Sequence, residues 1–181
     1  VLFRSENVLY FIEKNSPILK DWQRELVRIV RKIAQYFYPQ YQTKVMNEGW
    51  ATFSHFFIMN RLHDKGLLTE GAMLEFFHTH SGVMFQPTFD MKGYNGFNPY
   101  YLGFEMFRDI RRICEDPTAE DKEWFPDFAG GDWREVCLDA VENFRDESFI
   151  KQFLSPTMIR KMHLFTLNNN TNSQNYIVKD I

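Results

Sequence analysis

The chain has 181 residues, of which 44% are hydrophobic and 25% charged, and its formal net charge is −3 at pH 7. This is the composition of one folded domain or of a piece of a larger protein, and an aromatic share of 17% excludes a disordered chain. The negative net charge gives no electrostatic case for binding nucleic acid. Cys114 and Cys137 lie outside any Cys-x-x-Cys pair, so we expect reduced, buried thiols and no zinc ribbon.

Both ends of the sequence look truncated. Val1–Ser5 reads as a translated sequencing adapter, so we predict a non-native leader over residues 1–5, followed by a helical domain over 6–162. Residues 163–181 then form the start of a C-terminal β region that has no partner after it. No stretch approaches 18 apolar residues and no signal-peptide pattern is visible, so we expect a cytoplasmic protein without a membrane span.

Amphipathic helices are the main feature of the first 40 residues. A short helix is predicted at Glu6–Lys14 and a longer one at Leu19–Tyr38, which Pro39 should end. The longer helix carries a basic stripe made of Arg24, Arg28, Arg31 and Lys32. Such a stripe is usually a solvated face, and the alternative is a docking face for an acidic partner or for a missing part of the chain.

Helical patterns continue to Met162. A central helix is predicted at Thr43–His63, and Thr69, Asn98 and Asp132 are the expected N-caps of three later helices. From His163 the period changes to the alternation of a β-strand. The predicted fold class is therefore mainly α, a multi-helix globular bundle with a C-terminal β-hairpin or the start of a β-containing domain.

The central helix holds ionisable residues inside an apolar pattern. Glu48, Thr52 and His55 are spaced i, i+4, i+7 and so form one stripe on the helix. A helix that is apolar nearly all round is expected to be buried. A buried Glu and a buried His must be paired, hydrogen-bonded or bound to a metal, because an unpaired buried charge is costly.

The next helix adds further potential ligands. Glu75 and His78 have the Glu-x-x-His spacing of carboxylate-bridged di-iron helices, and His80 falls where that helix should end. Together with Glu48 and His55 they would suit zinc or another divalent metal. A buried Glu–His pair explains the same pattern without any metal, so both interpretations stay open. The sequence contains no His-Glu-x-x-His motif.

Several blocks of this sequence resemble the SpoVR family, the stage V sporulation protein R family of bacteria and archaea. In chain order they are Tyr36-Phe37-Tyr38-Pro39-Gln40, Met46-Asn47-Glu48-Gly49-Trp50-Ala51-Thr52, Leu74-Glu75-Phe76 through His80, Asn98-Pro99-Tyr100 with Leu102-Gly103-Phe104, Asp146-Glu147-Ser148-Phe149 and Phe153-Leu154-Ser155-Pro156. The resemblance implies a longer protein linked to formation of the spore cortex or to stress physiology. It also implies a PrkA-type serine protein kinase as a partner. No biochemical activity is established for the family.

A second, shorter resemblance concerns Asn47–Ala51. This segment is similar to the Asn-Glu-Gly-Phe-Ala segment of the gluzincin aminopeptidases, in which the Glu is a zinc ligand. The similarity implies that Glu48 is a metal ligand, with histidine ligands from His55 or from outside this chain. A metal-dependent hydrolase is therefore the alternative function.

Overall fold

The structure is a computed structural model that describes residues 2–88, 91–164, 166–168 and 177–180, with side chains described within 8–88 and 91–164. Its helices are α1 Leu2–Asn15, α2 Asp21–Tyr41, α3 Lys44–Asp64, α4 Glu70–Val83, α5 Pro99–Glu115, α6 Ala119–Trp124, α7 Trp133–Asn143, α8 Asp146–Phe153 and α9 Pro156–Lys161. Two strands follow, β1 Thr166–Asn168 and β2 Ile177–Asp180. None of the helices in these ranges combines the length and the apolar character needed to cross a membrane.

The helix starts that were predicted from capping residues are confirmed. The Thr69 side chain accepts a hydrogen bond from the backbone N–H of Ala72 at 3.2 Å, at the start of α4. The Asn98 side chain accepts one from Tyr100 at 3.0 Å, at the start of α5, and Asp132 caps α7 in the same way. A side-chain oxygen at this position satisfies a backbone N–H that the helix itself leaves without a partner.

The prediction that Pro39 ends the second helix was wrong. Helix α2 continues through Pro39 to Tyr41. Proline lacks an N–H and crowds the preceding turn, but in the last turn of a helix it disturbs little that follows. The Thr43 hydroxyl then donates to the carbonyl oxygen of Pro39 at 3.0 Å.

The chain folds as two compact units, Val1–Thr43 and Lys44–Ile181. In the first unit α1 packs against α2 through polar residues. Glu13, only 5% exposed, accepts hydrogen bonds from Arg24 through its carbonyl oxygen and from Arg31 through its carboxylate. None of the residues of α2 is buried.

The second unit is built around the crossing of α3 and α5. Helix α5 is buried along most of its length, and Met106, Phe107 and Ile110 are fully enclosed. Aromatic rings join the two helices, with the ring centroids of Phe53 and Phe107 6.0 Å apart. Rings of this size bury large areas and dominate the stability of a core.

The predicted fold class needs a correction at its C-terminal end. The chain is mainly helical, but the described helices fall into two units instead of one bundle. The prediction that a C-terminal β-hairpin or β-containing domain forms part of the fold was wrong. Within the described residues the whole sheet is one antiparallel pairing of β1 and β2, three and four residues long, and the predicted turn over 169–174 lies outside those residues. A two-stranded pairing of this length is marginal by itself. The predicted boundaries 1–5, 6–162 and 163–181 stay a prediction.

Candidate functional site

Glu48, the central residue of the predicted site, lies half-buried on α3. The hydroxyl of Tyr100, at the start of α5, interacts with its carboxylate. This interaction is the main reason that the pKa of Tyr100 is raised above its ordinary value, with burial as the second cause. Glu48 therefore joins two of the sequence blocks that carry the family resemblance.

Thr52 is buried one turn further along α3, and the hydrogen bonds of its side chain in the described structure are all local. Its hydroxyl donates to the carbonyl oxygens of Glu48 at 2.7 Å and of Gly49 at 3.0 Å. A Thr inside a helix often satisfies its hydroxyl in this way. The Thr52 hydroxyl is thus committed to its own helix.

The expectation that His55 is buried was wrong, and the histidine with a buried ring nitrogen is His80. His55 is exposed, and its ring lies edge-on to the ring of Phe76, with the two ring centroids 5.0 Å apart. Helix α4 runs on to Val83, so His80 lies inside its last turns. Its ring contacts Phe56, Phe76 and Phe104 at centroid distances of 5.6, 5.0 and 5.4 Å.

The environment of His80 disfavours its charged form. Its Nε2 atom is inaccessible to solvent and has no hydrogen-bond partner within the described part of the chain. Burial lowers the pKa of His80, and the nearby His55 lowers it further. His80 is therefore held as a neutral side chain in an aromatic surrounding.

Glu75 and His78 lie on the exposed side of α4, whereas Met73 and Phe76 are the residues that the helix buries. Within the described ranges no three His, Cys, Asp or Glu side chains come close enough together to hold a metal ion. The structure thus brings His55 close to His80 and pairs Glu48 with Tyr100. A metal site made of Glu48, His55, Glu75, His78 and His80 stays a prediction.

The basic stripe of α2 is divided between two environments. Arg24 and Arg31 are half-buried and donate to Glu13, at 2.7 and 3.1 Å. Arg28 and Lys32 are exposed, and Arg28 forms an ion pair with Glu25 on the same helix. Only this second pair of cations is therefore available in the described structure for the predicted partner.

Two polar residues of the family-like blocks have roles that the sequence did not reveal. The carboxylate of Asp146, at the start of α8, accepts hydrogen bonds from the backbone N–H groups of Val45 at 3.0 Å and Met46 at 2.9 Å. It therefore caps α3.

The buried Ser155 donates a hydrogen bond to Asp109 at 2.6 Å. It also accepts one from the N–H of Met158 at 3.0 Å and so caps the start of α9. Neither pairing leaves a local sequence signal, because the partners of Asp146 and Asp109 are far along the chain.

A second polar cluster, also missed in the sequence, lies beside α5. Arg112 donates to Asp109 at 2.7 Å and makes two hydrogen bonds to the buried Asp121, at 2.6 and 2.9 Å. The guanidinium holds the pKa of Asp121 well below its usual range. The cluster borders a pocket of about 280 Å³ lined by Glu105, Arg108, Asp109, Arg112, Thr157, Met158 and Lys161. Its acids and bases are already paired with one another.

These features define a helical protein in which two of the family-like blocks, Met46–Thr52 and Asn98–Phe104, meet at the crossing of α3 and α5. The chain belongs to the SpoVR-like protein family, since the family model described as "SpoVR like protein" matches residues 3–181. The predicted family is thereby confirmed. Among curated proteins the chain is similar to one named "Uncharacterized protein YcgB" from Escherichia coli (strain K12), with 60% identity over 162 residues. The match covers 90% of this chain and 32% of the relative, so the chain spans about a third of that protein's length. No solved structure matches the chain.

Proposed function

We propose that this chain is part of a non-catalytic, cytoplasmic regulatory protein that acts by binding other proteins and is linked to sporulation, through spore cortex formation, or to stress physiology. One observation carries the proposal: the residues of the family-like blocks are used to hold helices together. Gly49 and Gly103 form the crossing of α3 and α5, and Asp146 caps α3. A framework role for these residues fits a binding protein better than an enzyme.

The surface of the first unit supports binding to proteins. The apolar residues of α2 are exposed, as Trp22 at 61% and Val30 at 56% illustrate. Contiguous apolar surface of this kind marks protein–protein contact sites. Charged Arg28 and Lys32 lie on the same helix and are also exposed.

A PrkA-type serine protein kinase is the partner that we propose first. A full-length SpoVR-like protein containing this sequence should capture the kinase from cell extract, and the purified kinase should bind it directly. Replacing Arg28 with Gln should weaken that binding, whereas the control Arg134→Gln, which alters an exposed cation on α7, should not. The absence of any stable protein partner would overturn the proposed function.

A metal-dependent hydrolase is the second candidate. The observation that favours it is the half-buried carboxylate of Glu48, which faces the Tyr100 hydroxyl within the gluzincin-like segment. Metal analysis of the full-length protein tests it, with Glu48→Gln as the variant and Glu75→Gln as a comparison on the exposed side of α4. Stoichiometric metal that is lost in Glu48→Gln would replace the regulatory proposal with this one.

A further inference from the structure

The apolar stripe of α2 is turned away from α1, the helix that shares its unit. The stripe consists of Trp22, Leu26, Ile29, Val30, Ile33 and Phe37, each between 43% and 61% exposed. Helix α2 instead directs the half-buried Arg24 and Arg31 towards Glu13 of α1. An amphipathic helix normally buries its apolar face, so this stripe has the character of an interface.

The stripe is symmetric about the middle of the helix. Trp22 and Phe37 lie equally far from the point between Ile29 and Val30, and so do Leu26 and Ile33. A second α2 lying antiparallel across the stripe would place an aromatic ring against an aromatic ring at both ends, and aliphatic side chains against each other between them. A two-fold axis requires this kind of self-complementary surface.

One pair of opposite charges on α2 fits the same two-fold arrangement. Glu25 and Lys32 are spaced i, i+7, so they share one side of α2, and they flank the point between Ile29 and Val30. When two such helices pack antiparallel, the same edge of each helix meets. Glu25 of one copy then lies within about one helical turn of Lys32 of the other.

We propose that α2 is the interface of a homodimer, in which a second copy of this chain packs antiparallel across the apolar stripe. The inference rests on the proposed function in that this chain works through protein contacts, and it assigns this surface to a second copy. Glu25 and Lys32 form the ion pairs between the copies. The symmetry of the apolar stripe and the reciprocal pairing of Glu25 with Lys32 favour a second copy over an unrelated partner.

The oligomeric state of the 181-residue chain tests the proposal. Sedimentation and light scattering over a range of micromolar concentrations should show a dimer. Ile29→Glu should raise the dissociation constant by at least about 100-fold, because it puts two unpaired charges into the interface. The matched control is Leu138→Glu, which alters a residue on α7 that is 57% exposed and should remain dimeric. Circular dichroism confirms that both variants are folded.

Charge reversal tests the antiparallel arrangement itself. Glu25→Lys alone sets bases against bases, and Lys32→Glu alone sets acids against acids, so each should weaken self-association about tenfold. An equimolar mixture of the two variants should form a heterodimer about as strong as the unaltered dimer. A monomeric unaltered chain, a dimer insensitive to Ile29→Glu, or a mixture without recovery would overturn the proposal.

The two proposals fail separately. Capture of the kinase by a full-length SpoVR-like protein is measured with Ile29→Glu as well as with the unaltered sequence. A monomeric chain whose full-length counterpart still captures the kinase overturns the dimer and leaves the regulatory function standing. A dimer whose full-length counterpart captures no protein overturns the regulatory function and leaves the dimer standing.

Discussion

Gly49 on α3 lies directly against Gly103 on α5. A Cβ atom built on Gly49 would stand 2.4 Å from the Cα of Gly103, and one built on Gly103 would stand 2.3 Å from the carbonyl oxygen of Val45. Backbone atoms cannot move aside as a flexible side chain can. The two helices therefore cross with their main chains in contact, which only glycine at both positions allows.

Gly49→Ala should destabilise the second unit by roughly 3 kcal/mol, because the added methyl group forces α3 and α5 apart and opens the packing on both sides of the crossing. Urea denaturation followed by circular dichroism measures this change. Gly82→Ala is the control, since a Cβ at Gly82 meets nothing within 4 Å. That substitution should be neutral or should stabilise α4 by about 0.5 kcal/mol. Equal effects of the two substitutions would contradict the close crossing.

Asp146→Ala should destabilise the same unit by about 1–2 kcal/mol, because the N–H groups of Val45 and Met46 lose the carboxylate that caps α3. The free energy of unfolding in urea gives the measurement. Asp139→Ala removes an exposed carboxylate that bonds only to Asn143 within α7, at 2.8 Å, among the contacts described. Its effect should stay within about 0.5 kcal/mol. A smaller loss for Asp146 than for Asp139 would argue against the cap.

Arg112→Met should destabilise the fold by roughly 3–5 kcal/mol, because it leaves the carboxylates of Asp109 and Asp121 buried without their cation. Arg111→Met is the matched control, since Arg111 pairs with the exposed Glu115. We expect the control to cost less than about 1 kcal/mol. Thermal unfolding of the two variants compares them directly, and similar melting temperatures would be inconsistent with a buried ion cluster.

The cluster of Arg112, Asp109 and Asp121 makes the free energy of unfolding depend on pH in the acidic range. The pKa of Asp121 is lowered in the folded state, so its contribution is fully present above its ordinary value of 3.8 and is lost as the pH falls towards the folded pKa. Stability measured below about pH 4 should therefore fall less steeply in Asp121→Asn than in the unaltered chain. Asp139→Asn should keep the original slope. An unchanged slope in Asp121→Asn would sink this explanation.

His80 should make stability depend on pH in a second, higher pH range. Because the folded state lowers its pKa from 6.5, the unfolded chain binds a proton first as the pH falls, and stability decreases from about pH 6.5 downwards. His80→Leu should remove that decrease and stabilise the protein at pH 5. His78→Leu, on the exposed side of α4, should retain it. Denaturation midpoints at several pH values check both variants, and a persistent decrease in His80→Leu would refute the assignment.

Local chemistry made part of the fold predictable. Thr69, Asn98 and Asp132 start helices in the structure, because N-capping depends on residues only two or three positions away. The family was also identifiable, because its blocks are contiguous in sequence. The sequence was a weak basis for predicting the β-hairpin, because alternating apolar and polar residues over a short segment do not show whether a strand pairs with a larger sheet.

The site was less predictable because it depends on partners from distant helices. Helical spacing placed Glu48 and His55 on one stripe, but burial is set by what packs over each position. Glu48 is half-buried and interacts with Tyr100, whereas His55 stays exposed. The α2 stripe shows the same limit, because the sequence identified an apolar face and could not show that α1 would pack against the opposite one.

The cap on α3 has a consequence for the order of events during synthesis. Asp146 is 101 positions downstream of Val45, so the start of α3 leaves the ribosome long before the carboxylate that completes it. Helices α4 to α7 emerge in that interval, and the crossing of α3 and α5 can form while the first turn of α3 is still frayed. When α8 emerges, Asp146 completes the first turn of α3, so the last step of the unit's assembly is a long-range contact. Nascent chains that stop before Asp146 lack this cap and are prone to misfolding.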